Sequence, residues 1–111
     1  RQHAELYPGP GWRLAVLKVA AREVDRLENH PNTEELFAPI EGRAVLLVAE
    51  AGDLREEEIH AFVLDRPVSV GPGVWHGVLT LGAYATIVIA ENLEVAGERV
   101  PLSRPIGAVL A

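Results

Sequence analysis

Glu35-Leu-Phe-Ala-Pro-Ile-Glu-Gly-Arg-Ala-Val-Leu-Leu-Val-Ala49 is the stretch that decides the fold. Its two halves, Glu35 to Pro39 and Arg43 to Ala49, are short runs rich in apolar and β-branched residues, and Glu41-Gly42 between them is a turn signal. The stretch predicts two strands joined by a hairpin turn, the second of them buried. Neighbours on a strand face opposite sides, so Glu34 and Glu35 cannot both point inward. Toward the C-terminus the same rhythm continues. A polar loop from Glu50 to Glu58, with a helical turn at Leu54 to Glu58, precedes a strand over Ile59 to Leu64. Asp65-Arg66-Pro67 turns the chain, Val68 to Val70 extends, and Gly71-Pro72-Gly73 turns it again. Val74 to Leu81 and Ala83 to Ala90 read as an antiparallel pair joined near Gly82, and beyond Asn92 a short strand and a tail are expected.

Toward the N-terminus the signal is mixed. Leu17, Ala20, Ala21, Val24 and Leu27 fit helical spacing, whereas strand alternation puts Val24, Arg26, Glu28 and His30 on one face. The strongly β character of the chain from Glu35 onward favours strands here too. Arg1 to Trp12, with Pro8-Gly9-Pro10-Gly11, reads as an irregular lead-in. Short strands separated by Gly/Pro turns, with no long helix, define an all-β chain, a small antiparallel sandwich or barrel forming a single domain over residues 1–111.

Composition narrows the function. An apolar fraction of 49% and a charged fraction of 23% are those of a folded domain, and a net charge of −6 argues against a nucleic-acid partner. No apolar run has the length of a membrane span and no signal-peptide pattern opens the chain, so no membrane partner and a cytoplasmic location are expected. The absence of cysteine removes disulfides, thiolate metal sites and cysteine nucleophiles together.

Two clusters carry chemistry. Glu28, His30, Glu34 and Glu35 lie close together in sequence, and Pro72-Gly73-Val74-Trp75-His76 places a second histidine just after a tight bend. Two histidines and a carboxylate from separate segments make a metal or acid/base site if the fold unites them. An inward Arg26, Glu28 and His30 would each need a partner, as would His76 in a row with Val78 and Thr80. The plain readings stand beside these. His30 before Pro31 suits an exposed turn, His76 a satisfied structural histidine, and Arg26 a salt bridge with Asp25 or Glu28. His3 and His60 have no sequence partners and read as surface or strand residues.

His30 followed by Glu35 and then Gly42, together with Gly73-x-x-His76, resembles the two motifs of the cupin superfamily. Within it the chain is most similar to the ureidoglycolate lyase family, through Leu27-Glu28-Asn29-His30-Pro31, Thr33, Phe37-x-Pro39-x-x-Gly42, Ala61-Phe62 and Val74-Trp75-His76. Glu28 stands where the cupin motif has a histidine, and Gly77 where the family usually carries a second histidine. The resemblance implies a small double-stranded β-helix, or jelly-roll, antiparallel barrel. It implies a divalent metal (Zn, Ni, Mn or Fe) on His30, Glu35, His76 and Glu28. His76 and Glu35 would be catalytic, with Arg26 and Trp75 binding a small carboxylate or ureido substrate. The implied activity is carbon–nitrogen cleavage of ureidoglycolate to urea and glyoxylate, in purine and allantoin catabolism, by a homodimer. A non-catalytic binding cupin and another metal-cupin enzyme, an isomerase or oxygenase, are the alternatives.

Overall fold

The computed structural model describes residues 11–92 and 96–107. Among them are nine strands: β1 (Trp12–Val19), β2 (Glu23–Asn29), β3 (Glu35–Glu41), β4 (Ala44–Ala49), β5 (His60–Val63), β6 (Val68–Val70), β7 (Trp75–Thr80), β8 (Ala85–Asn92) and β9 (Glu98–Gly107). One turn of 3₁₀ helix spans Glu56–Glu58, inside the loop where a helical turn is expected. The ambiguous N-terminal segment is strand, broken at Ala20–Arg22. The expected short strand near the C-terminus is instead the ten-residue β9. Most of the predicted lead-in lies outside the described residues, and Trp12 already belongs to β1.

The strands form two antiparallel sheets, ordered β1-β8-β3-β6 and β5-β4-β7-β2-β9. The fold is therefore the all-β, cupin-type sandwich that the sequence predicts, with its sheets facing each other rather than closing into one continuous barrel. Two connections differ from expectation. Glu41-Gly42 is not a hairpin: β3 pairs with β6 and β8, while β4 pairs with β5 and β7 in the other sheet. Likewise β7 and β8 do not pair, because β8 lies between β1 and β3. Both turns are corners that carry the chain across the sandwich. Gly42 makes the first corner with φ +73°, and a Cβ there would lie 2.5 Å from the Tyr84 carbonyl oxygen in the second. Only glycine permits both that dihedral and that approach.

β4 is buried on both faces, which explains its unbroken apolar sequence. Ala44 and Leu46 join Phe37, Val70, Ala85 and Ile87 between the sheets. Val45, Leu47 and Ala49 face the other way, packing with Leu27, Trp75 and Leu79 under Leu54, Ile59, Leu102 and Ile106. The expected row Val24, Arg26, Glu28, His30 is interrupted. The pairing of β2 with β9 shifts register between Val24 and Arg26. Across that irregularity Val24 packs with Leu27 in the second cluster, Arg26 stays in solvent, and Glu28 and His30 reach the space between the sheets.

Candidate functional site

The site grows from three strand ends. Glu28 on β2 sits directly opposite His76 on β7. His30 follows the end of β2, and its carbonyl accepts the Gly73 N–H at 3.0 Å, which ties the turn before His76 to the first histidine. Glu35 enters from β3 in the facing sheet. Alternation sends its side chain inward, while its neighbour Glu34 is exposed and accepts a hydrogen bond from Ser69 Oγ at 3.0 Å. Glu35 Oε1 then lies 2.9 Å from His76 Nε2 and 3.0 Å from His30 Nε2. Glu28 Oε1 is 4.0 Å from each of the same two nitrogens. The imidazole centroids are 5.2 Å apart, and Phe37 meets His76 edge-on at 5.6 Å. Leu17, Val19, Phe37, Val78 and Ile89 wall a cleft of about 310 Å³ whose polar base is Glu28, Glu35 and His76.

Each histidine is held in one orientation by its other ring nitrogen. His76 Nδ1 faces the Val74 carbonyl at 3.1 Å and His30 Nδ1 faces the Ala96 carbonyl at 3.2 Å. Nδ1–H donates to each carbonyl, leaving the Nε2 lone pairs aimed at Glu35 in the neutral rings. Burial alone would lower the His76 pKa, but the Glu35 carboxylate, the Val74 carbonyl and Glu28 outweigh it, so the net shift is upward. For Glu35, burial raises the pKa, yet His76, Glu91 and His30 bring it below its ordinary value. Glu91 on β8 is shifted upward by burial and by Glu35, against the pull of Arg13. Its carboxyl therefore holds a proton more readily than an ordinary glutamate. Arg13 on β1 in turn clamps Glu91, with Nε at 2.7 Å.

These residues fit a divalent ion. Glu35 Oε1 and His76 Nε2 are buried and, although 2.9 Å apart, neither completes a well-aligned hydrogen bond. Two ligands at right angles on bonds of about 2.1 Å stand about 3.0 Å apart, which the two Glu35–histidine distances reproduce. Glu28, His30 and His76 form one donor group, and His30, Glu35 and Glu91 a second that overlaps it. Mixed imidazole and carboxylate donors suit Zn, Ni, Mn or Fe.

The structure brings His30, Glu35, His76 and Glu28 together, but it does not add the two expected substrate-binding residues to them. Trp75 lies apart from the cleft. As the neighbour of inward His76 it faces the opposite side of the sheet, buried in the second core with Nε1 donating to the Gly52 carbonyl at 2.8 Å. Arg26 borders a cleft beside Glu28 and His76, yet it is exposed and pairs with its neighbour Asp25 at 3.1 Å. Gly77 also points away from the site. A Cβ there would lie 2.8 Å from Leu27 Cδ2, so a second histidine at this position would meet the core, not the cleft. His60 is exposed on β5, and His3 lies outside the described residues. Sequence reasoning missed Glu91, Arg13 and Arg99. Arg99 Nε reaches Glu28 Oε2 at 3.1 Å from a strand 71 positions away. The one signal in the sequence was Glu91 at the end of an apolar strand.

A jelly-roll sandwich with histidines and glutamates converging between its sheets defines a small cupin. A family model described as ureidoglycolate lyase matches residues 10–100, and the chain belongs to that family. Two curated proteins named ureidoglycolate lyase, from Burkholderia mallei strains NCTC 10229 and NCTC 10247, are each 36% identical to it over 74 residues. The match covers 63% of this chain and 44% of each relative, so the chain spans less than half the length of those proteins.

Proposed function

We propose that this chain carries the site of a carbon–nitrogen lyase that cleaves ureidoglycolate, or a close relative of it, into glyoxylate and urea. The observation that supports the reading is the convergence of Glu35, His76, His30 and Glu28 at the base of a cleft of about 310 Å³, the size of a small-ligand site, in a chain of this family. The reaction removes one proton from the carbinol hydroxyl and delivers one to the departing urea nitrogen. The electron pair of the C–N bond leaves with that nitrogen as the C–O bond becomes a carbonyl. Glu35, ionised at neutral pH, accepts the hydroxyl proton, and His76, whose pKa is raised, holds the proton for the leaving group. A divalent ion held on His30, Glu35, His76 and Glu28 would replace those proton roles of Glu35 and His76, supplying Lewis-acid polarisation of the substrate oxygens instead. Apolar walls keep water from the reacting carbon and strengthen each electrostatic contact.

The proposal extends to assembly and setting. Leu14, Val16, Leu36 and Ile40 are exposed on the outer face of the four-stranded sheet, whose edge strand is β1. A second copy of the chain packed there, as a homodimer, would cover them. No helix among the described residues is long and apolar enough to cross a membrane, and a cytoplasmic role in purine catabolism is part of the same proposal. The test is urea release from ureidoglycolate by the protein as purified, after chelation, and after reloading with each metal. Release in any one state that Glu35→Gln abolishes supports the reading. No release in every state defeats it, and a metal-loaded protein of that kind would be a cupin of different chemistry.

A further inference from the structure

Ala96 and Gly97 lead into β9 and, with its first residues Glu98 and Arg99, close one side of the site. The Ala96 carbonyl fixes His30 Nδ1 at 3.2 Å. Gly97 packs so closely that a Cβ would lie 2.6 Å from His30 Nδ1 and 2.5 Å from the Asn29 carbonyl oxygen. Arg99 comes two residues later, opposite Glu28 in the β2–β9 ladder, with its Nε 3.1 Å from Glu28 Oε2. Arg99 and Glu28 together line two clefts distinct from the apolar-walled one: a neighbouring cleft, also of about 310 Å³, that shares Glu28 and His76 with it, and another of about 420 Å³ that reaches His30.

We propose that Arg99 is the residue that binds the carboxylate of the small acid taken by this site. Glu28 divides its two oxygens: Oε1 faces both imidazoles at 4.0 Å, and Oε2 holds Arg99. Arg99 is thus one side chain away from the histidines. Its Nε is engaged, while Nη1 and Nη2 make no hydrogen bond among the described residues. Two terminal guanidinium nitrogens form the parallel pair of bonds that a carboxylate accepts. Arg26, the other cation on this cleft, is tied to Asp25, and that carboxylate touches neither histidine. Both arginines are exposed, 59% for Arg26 and 69% for Arg99, so it is the half-buried Glu28 partner that sets Arg99 apart. Arg99 therefore takes the role, with Glu28 as the residue that positions it. This inference rests on the reading of the site as one for a small carboxylate-bearing substrate.

The experiment is calorimetric titration with glycolate and with glycolamide, its neutral analogue. The proteins are the wild type, Arg99→Gln, Arg99→Lys and Arg26→Gln, all in the same metal state. Wild type should prefer glycolate. Losing a charge-assisted pair of bonds should weaken glycolate binding by roughly 10- to 100-fold in Arg99→Gln, and by less in Arg99→Lys. Glycolamide binding should not change, and Arg26→Gln should match the wild type. Wild-type glycolate affinity in Arg99→Gln, the loss appearing in Arg26→Gln instead, or no preference for glycolate in the wild type would each overturn the proposal. Circular dichroism confirms that each variant is folded. Arg99-dependent glycolate binding without urea release would defeat the lyase reading and leave the carboxylate site standing.

Discussion

Replacing Glu35 by glutamine keeps the volume and removes the charge at the centre of the site. In the wild type that charge lies 2.9 Å from His76 Nε2 and 3.0 Å from His30 Nε2, on a residue only 5% exposed. At an effective dielectric constant of about 20, unit charges at that separation attract by roughly 6 kcal/mol, a gross value that the burial of both groups offsets. Two consequences can be read separately. In the metal-free protein the variant removes the largest influence that raises the His76 pKa while burial still lowers it, so that pKa should fall. Imidazole ¹⁵N shifts followed by pH titration report that fall directly. In metal binding, removal of a ligand should cost more than the roughly 10–100-fold typical of losing an outer-shell partner. Competition against a chelator measures it. Glu34→Gln is the control, since Glu34 faces solvent toward Ser69, and its affinity should stay within about twofold, as surface changes do. Equal losses in the two variants, or a His76 pKa that does not fall in Glu35→Gln, would refute the placement of Glu35 between the histidines.

Further outcomes are expected. The metal-free protein should be most stable between about pH 4.5 and 6.5, the ordinary values of Glu35 and His76, and lose stability on both sides in thermal melts. The lowered Glu35 pKa gives stability that disappears as pH falls through its folded value. The raised His76 pKa gives stability that disappears as pH rises through its own, while the raised pKa of Glu91 gives stability that is full below 4.5 and declines above it, tilting the optimum toward the acid end of the window. Trp75→Phe should cost about 1 kcal/mol for the lost bond to Gly52 and leave ligand and metal affinity unchanged, which calorimetry beside a melt will check. Gly42→Ala should destabilise by about 2 kcal/mol or more in urea titration, because φ +73° and the 2.5 Å approach to Tyr84 both resist a Cβ. Val16→Glu should shift a dimer toward monomer in sedimentation, with the metal site intact; an unchanged sedimentation profile would remove the outer face of the four-stranded sheet as the interface.

What the sequence makes legible is whatever depends on neighbours along the chain. Alternation separates Glu35 from Glu34, and the apolar run of β4 announces a strand buried on both faces. Gly42 and the Leu81–Tyr84 turn read as hairpins because a corner between sheets and a hairpin within one use the same turn residues. Only the pairing partners, β8 for β3 and β2 for β7, tell the two apart. Trp75 misleads for a related reason: adjacency to His76 in sequence is opposition across a sheet. Arg99 and Glu91 give almost no signal, since each acts on a residue brought near by a distant strand. Alternation places Arg26, Glu28 and His30 in one row, whereas the register shift against β9 separates Val24 from it, and Arg26 at the exposed end of the row turns to Asp25.

The pairing of β1 with β8 and of β2 with β9 bears on how the protein comes to exist at all. Trp12 lies opposite Asn92 and Asn29 opposite Glu98, so the first two described strands wait for partners 80 and 69 residues further on before either is completed. Such non-local ladders are slow to form, and while the chain is being synthesised their edges stand open to other molecules. The ligand donors share that delay. Glu28, Glu35 and His76 come from three strands in two sheets, so no fragment gathers them and no partly folded chain offers an ion a home. Any ion or small acid then binds the finished molecule alone. At a concentration one hundred times its dissociation constant it would deepen the native basin by about 2.7 kcal/mol, with no interaction to lose in the unfolded state. Cells that supply the ligand would thereby keep more of this protein, and cells that lack it would clear it sooner.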